Sequence, residues 1–275
     1  MKSDFKLGRY SLDLSKPQIM GILNVTKDSF SDGGLYLNPE NAKQQAQKMI
    51  EAGASIIDIG GESTRPGAVP VTIDDELNRV IPIIEYVSQL NVPISIDTNK
   101  PEVMQAAVAA GASMVNDVWA LQKAGALEMA AKLDVPICLM HMQGSPQTMQ
   151  DKPKYDDVVD DIIQFFKERI SSCEAAGITE EQLILDPGFG FGKTLEHNLA
   201  MLKRLSEFNV LKRPILAGLS RKSMIGAIIN KPADQRVSAS VALAILAWQS
   251  GASFIRVHDV AETKDALDMV TAVTP

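Results

Sequence analysis

Eight short apolar runs, each followed by a longer segment of helical period, constrain this chain more than any other feature. The runs cover residues 18–23, 55–60, 93–97, 114–118, 136–142, 182–186, 214–219 and 254–258. They are continuously apolar, without in/out alternation, which is how strands buried on both faces of a parallel sheet read. Helical segments follow at 39–52, 74–89, 101–110, 127–133, 155–176, 195–205, 233–250 and 261–271. Three of them end in a similar phrase, AGAS at 52–55 and 110–113 and SGAS at 250–253. There a glycine supplies the left-handed stop before the next strand. Eight strand-then-helix units in 275 residues match a (β/α)8 TIM barrel in count and length. A doubly wound open sheet is the alternative, weakened because no GxGxxG follows the first strand.

Composition narrows the class. With 45% apolar residues the chain can bury a large single core, and its even texture marks no internal boundary, so one domain over 1–275 is expected. The formal net charge of -7 argues against nucleic acid as a partner. Basic residues gathered in one place would therefore serve a local anionic ligand. Cys138 and Cys173 fit neither a disulfide framework nor a zinc spacing. The N-terminal stretch lacks an apolar signal region and no run approaches a membrane span, so a cytoplasmic protein without a membrane partner is expected.

In a barrel, function sits where strands give way to loops. Those positions hold Asn24, Asp58 with Glu62, Asp97, Asn116 with Asp117, His141, Asp186, Lys222, and Arg256 with His258. Turn-forming caps explain any one of these; polar residues at all eight ends point to a shared site. Two long loops follow the first two strands, NVTKDSFSDGGLYLNP and GGESTRPGAVPVT. Ordered loops of such length are usually lids or binding loops. Ser63, Thr64 and Arg65 in succession offer hydroxyls, amides and a guanidinium suited to a phosphate.

The segment LDPGFGFGKT resembles a phosphate loop superficially, but Gly188 precedes Lys193 by five positions where the P-loop spacing needs six. Its glycines instead allow backbone to approach a flat ligand, with Phe189 or Phe191 for stacking and Asp186 for a planar N–H edge. At the seventh strand, Arg221, Lys222 and Ser223 open a helix. Cations oppose the macrodipole there, so an anion or an acidic side chain should lie close by. Lys222 could also serve as a Schiff-base lysine. Arg256 and His258, two residues apart, share one side of the last strand.

Taken together, GILNVTKDSFSDGG, DIGGESTRPGA, SIDT, NDV, LDPGFGFGKT, GLSRKS and RVHD, in this order, resemble the bacterial dihydropteroate synthase family over essentially the whole chain. The first motif has Lys27 where that family commonly has Pro. The resemblance implies condensation of 6-hydroxymethyl-7,8-dihydropterin diphosphate with 4-aminobenzoate by dissociative loss of diphosphate. It implies a pterin site of Asp97, Asn116, Met140, Asp186, Phe191, Gly218, Lys222 and Arg256. The diphosphate would meet Asn24, Ser63, Thr64, Arg65, Arg256 and His258, with Mg2+ as cofactor held through Asn24. The 4-aminobenzoate would sit by Phe30, Thr64, Pro66, Lys222 and Ser223. Catalysis would fall to Asp97, Lys222, Arg256, His258 and Arg65, in a homodimer of the sulfonamide-sensitive kind. A folate-dependent methyltransferase, a non-catalytic pterin-binding paralogue and a Schiff-base aldolase through Lys222 are the competing readings.

Overall fold

The computed structural model describes residues 4–26, 39–64 and 67–273. The chain opens with an antiparallel hairpin, β1 (Asp4–Leu7) and β2 (Tyr10–Asp13). Strand–helix units then follow: β3 (Gln18–Asn24) and α1 (Pro39–Glu51), β4 (Ile56–Gly60) and α2 (Ile73–Val87), β5 (Ile94–Asp97) and α3 (Pro101–Ala110), β6 (Met114–Asp117) and α4 (Ala126–Leu133). The second half runs β7 (Ile137–Met140) and α5 (Val158–Ala175), then β8 (Leu183–Asp186) and α6 (Leu195–Lys203). It closes with β9 (Ile215–Ala217), α7 (Ser223–Ile229) and α8 (Val237–Gln249), and finally β10 (Ala252–Val257) and α9 (Val260–Val273). Strands β3 to β10 pair in parallel and close on themselves through β10 and β3. All eight apolar runs are barrel strands, and the (β/α)8 barrel is the fold.

The strand pattern has a simple physical origin. One face of each strand packs under the helices: Ile57 and Ile59, Ile94 and Ile96, Leu183 and Leu185 belong to the outer core with Val80, Val103 and Phe166. The other face points into the barrel. Its lower layer is apolar, made of Met20, Ile56, Met114, Cys138, Ile184, Leu216 and Phe254. Both faces are buried, so the runs read as continuous rather than alternating.

The left-handed stops are present. Gly53, Gly111 and Gly251 have φ of 94°, 120° and 101°, each between a helix and the next strand.

The N-terminal hairpin was not among the expected elements. Phe5 and Leu7 alternate with exposed Asp4 and Lys6, and Gly8, with φ of 59°, turns the chain toward Tyr10. Phe5 and Leu7 pack on the lower barrel layer, and the Phe5 ring meets Phe254 edge-on with centroids 5.7 Å apart. The hairpin thus stoppers the end of the barrel away from the loops. Phe5→Ala should cost about 3 kcal/mol of stability by lost burial and a lost edge-to-face contact. Denaturant unfolding checks this, and a loss below about 1 kcal/mol would show the stopper to be dispensable.

Candidate functional site

Two residues above the largely apolar floor, the same inward face becomes polar on five of the eight strands. The step runs Ile56 to Asp58, Ser95 to Asp97, Met114 to Asn116, Ile184 to Asp186 and Phe254 to Arg256; Met140 and Gly218 complete the layer above Cys138 and Leu216. This layer floors a cavity of about 810 Å³, within the size range of small-molecule sites. Asn24, Ser63, Thr64, Ser223 and His258 line its upper part. Asp97, Asn116, Met140, Asp186, Phe191 and Gly218 surround its deepest recess, with Lys222 and Arg256 reaching both levels. Every described residue that the family resemblance assigns to the site is therefore brought to one cavity, whereas the strand-end residues Asp58, Asp117 and His141 do not line it. Phe30, Arg65 and Pro66, together with Lys27, lie outside the described residues.

Arg256 is the electrostatic centre. Its Nε donates to Asp58 Oδ2 at 2.7 Å and its Nη2 to Asp97 Oδ2 at 2.7 Å. Asn116 Nδ2 lies 3.4 Å from the same Asp58 oxygen. Burial opposes charge on Arg256, but Asp58 and Asp97 more than offset this and hold it protonated. For Asp97, burial dominates and Asp58 adds to it; although Arg256 opposes both, the carboxyl is pushed up to about 7. Two carboxylates facing one guanidinium leave an excess of negative charge beneath the cavity. Asp58 stood out as a strand-end residue, yet its role was illegible, because its partner Arg256 lies 198 positions away.

Asp186 serves two ends. Its Oδ1 accepts from the Gly188 N–H at 2.7 Å, so it does anchor the following turn. Its Oδ2 faces Gly218, where an added Cβ would come to 3.9 Å, so the glycine leaves open floor beside the carboxylate. Burial raises Asp186, against Gly188 N–H, Lys222, Arg256 and Lys193, which all favour its charge. Lys222 is the mirror image: burial lowers it to about 8 while Asp186 resists. Its Nζ sits 4.1 Å from the centre of the Phe191 ring.

The Gly-rich loop is held by five polar clamps. Besides Asp186, Asn198 Oδ1 accepts from Gly190 N–H at 2.7 Å, and Gln150 Nε2 donates to Gly190 O at 2.8 Å. Tyr155 Oη donates to Gly192 O at 2.7 Å, and Lys193 Nζ to Phe191 O at 2.9 Å. Gly188, with φ of 73°, is required: a Cβ there would lie 1.9 Å from the His141 carbonyl oxygen. Lys193 is buried against His141, with Nζ 3.0 Å from Nδ1, and is turned away from any phosphate role.

His258 is held neutral by its surroundings. Burial, then Arg256 and Arg221, lower it to about 3. Ser220 Oγ accepts the His258 backbone N–H at 3.2 Å and lies 3.0 Å from Nδ1. The neutral imidazole is thus held in one orientation. Two other strand-end residues have structural duties. Asp117 accepts from the N–H groups of Trp119 and Leu121, both at 2.8 Å, which closes a turn outside the cavity. Arg221, with φ of 58°, pairs with Asp259 through Nε at 3.0 Å; this is the acidic neighbour that cations at the start of a helix require.

A barrel with a carboxylate-and-amide floor beneath a cationic upper wall is built for a flat, N–H-rich ring bearing an anionic tail. The model of the pterin binding enzyme family matches residues 20–258, and the chain belongs to that family. It is 54% identical to the dihydropteroate synthase of Escherichia coli K12 over 95% of this chain and 93% of that one. Its structure superposes with a TM-score of 0.95 on the Yersinia pestis dihydropteroate synthase in complex with a sulfonamide drug, at 53% identity and 98% coverage of both chains. It also superposes, with a TM-score of 0.90, on the Burkholderia cenocepacia dihydropteroate synthase complexed with 7,8-dihydropteroate, at 46% identity over 98% of this chain and 96% of that one.

Proposed function

We infer that this protein is a transferase with dihydropteroate synthase activity. It joins 6-hydroxymethyl-7,8-dihydropterin diphosphate to 4-aminobenzoate, giving 7,8-dihydropteroate and diphosphate. One observation carries the reading: a single cavity combines the Asp186–Asn116–Asp97 floor with Lys222, Arg256 and His258 above it. Asp186 Oδ2 accepts from the 2-amino and N3 edge of the pterin, Asn116 and Asp97 meet the opposite ring edge, and Lys222 donates to the carbonyl and N5 side. Met140 and Phe191 supply apolar contact, and Gly218 gives the ring its space.

The chemistry follows from the charges. The carbon–oxygen bond between the pterin methylene and the diphosphate breaks, and the electron pair leaves with the diphosphate. Arg256 and the imidazole of His258 face the leaving oxygens, with Asn24, Ser63 and Thr64 as further polar contacts. The cation left on the methylene is conjugated to the ring, and the excess negative charge of Asp58 and Asp97 over Arg256 favours it. The arylamine then attacks from the side of Thr64 and Ser223 and gives up its proton. Lys222 acts as an ammonium, not a Schiff-base nucleophile.

Asn24 lines the cavity, and a hard amide oxygen of its kind suits Mg2+, an ion that keeps waters and binds through substrate phosphates. Asn24 would hold it, and when bound it offsets charge on the diphosphate oxygens. The same reading makes the protein a cytoplasmic enzyme and a sulfonamide target. Among the described residues no helix is long and apolar enough to cross a membrane.

The direct test mixes the purified protein with pterin diphosphate, 4-aminobenzoate and Mg2+ and follows dihydropteroate; its absence overturns the reading, and omission of Mg2+ should depress turnover. Asp186→Asn should weaken binding of a pterin by about 1.5–3 kcal/mol through loss of charge-assisted pairing, read by calorimetry. Affinity equal to wild type would remove Asp186 from the pterin edge.

The pH dependence follows from two shifted groups. Asp97 must be ionised, so kcat/KM should fall as pH drops below about 7. Lys222 must be protonated, so kcat/KM should also fall as pH rises above about 8. A narrow bell is therefore expected, and Asp97→Asn should lower its maximum and erase the acid limb. A flat profile from pH 6 to 9 would show that neither protonation state matters.

A homodimer is part of the same reading. It is supported by apolar residues left exposed on α7, α8 and α9, among them Ile228, Leu246 and Met269. Sedimentation at micromolar concentration should show a dimer, and a monomer alone would contradict it.

A further inference from the structure

The second long loop carries Ser63 and Thr64 into the cavity, and it is held from the side of α2 and α3 through Glu62 at the cavity wall. Lys100, the residue before α3, places Nζ 2.5 Å from Glu62 Oε2 and pairs as well with Glu76 Oε2 in the first turn of α2. Glu76 is fully buried, and the Lys100 side chain is only 17% exposed. The same Glu62 oxygen accepts from the backbone N–H of Val71 at 3.0 Å. One carboxylate thus joins the two ends of the loop, nine residues apart.

The strand end beneath is equally constrained. Arg79 Nη1 donates to Gly61 O at 2.8 Å. A Cβ on Gly61 would lie 2.8 Å from Val80 Cγ1 and 2.9 Å from Glu76 Cγ, so the backbone rests directly on α2. Without the Lys100 ammonium, Glu62 and Glu76 would face one another as like charges, and the loop neck would open between them. Ser63 and Thr64 follow Glu62 immediately, so any shift of the neck is passed to them.

We propose that Lys100 is a positioning residue which, by bridging Glu62 and Glu76, holds the neck of the second loop and so sets Ser63 and Thr64 for the diphosphate and 4-aminobenzoate. The proposal rests on the dihydropteroate synthase reading. It separates two functions of the cavity. Pterin recognition on the barrel floor meets Lys100 only indirectly, through Glu76 and Asp97, whereas completion of the second substrate's site depends on it directly.

The test compares wild type with Lys100→Met, Lys100→Arg and Glu62→Gln in steady-state dihydropteroate formation, with calorimetry of a pterin lacking diphosphate. Lys100→Met should raise KM for 4-aminobenzoate about tenfold, as expected for loss of a charge-assisted contact. Its pterin affinity should fall by clearly less than KM rises, because the neck reaches the floor only through the charge of Glu76 acting on Asp97. Lys100→Arg, which keeps the charge, should recover most of the loss. A Lys100→Met protein with unchanged KM overturns the proposal, and so does one whose pterin affinity and KM suffer equally, since that marks a general structural defect. Should Lys100→Met fail to fold, Glu62→Gln decides. It keeps the hydrogen bonds and removes one charge, so KM should rise about threefold, and no rise overturns the proposal. A wild-type protein that makes no dihydropteroate overturns instead the functional reading beneath it.

Discussion

Eight parallel strands converge on one cylinder, and each can contribute only every second side chain to its interior. That constraint governs everything else in this protein. Below, the shared interior is filled by Met20, Ile56, Met114, Cys138, Ile184, Leu216 and Phe254 and stoppered by the N-terminal hairpin. Two residues further along each strand the same direction points into the cavity, and the interior turns polar. A carboxylate such as Asp58 or Asp186 is therefore held by rigid strands rather than by mobile loops, which suits a site that must hold charge in fixed positions.

The cost of that placement is desolvation, which acts on acids and bases in opposite directions. Asp97 and Asp186 are pushed up and Lys222 is pulled down, while Arg256, between Asp58 and Asp97, stays charged because its partners are in contact. The site is thus a balance of opposed charges short of their usual solvation. A flat donor-rich ring with an anionic tail completes that balance better than water does. His258, held neutral by burial and by the neighbouring guanidiniums, contributes direction rather than charge.

Loops at the mouth are tied where they leave the barrel. The Gly-rich loop is clamped by Asp186, Asn198, Gln150, Tyr155 and Lys193, and the second loop by Lys100, Glu62 and Arg79. In both cases charged or polar side chains hold backbone, some of them, such as Asp186 and Glu62, while lining the cavity as well. A buried lysine such as Lys193 is therefore no sign of a phosphate site here.

The strands, the barrel and most of the cavity were legible in the residues because burial on both faces writes a continuous apolar run, and because a barrel's chemistry gathers where such runs end. Asp97, Asn116, Asp186, Lys222, Arg256 and His258 could be named on that ground alone. The hairpin at the start also had a signal, the alternation of Phe5 and Leu7 with Asp4 and Lys6 about a Gly8 turn, but four residues on each side make it a short one. By itself the sequence determined the elements, their order and the residues at strand ends, since these depend on local periodicity. Only the tertiary structure decided which strand-end groups share the cavity, which close turns, as Asp117 does, and which pair with an acid at the cavity wall, as Arg221 does with Asp259. It alone brought Arg256 to Asp58 and Lys100 to Glu62 and Glu76, because strand register and barrel closure, not spacing along the chain, set the distance between those charges.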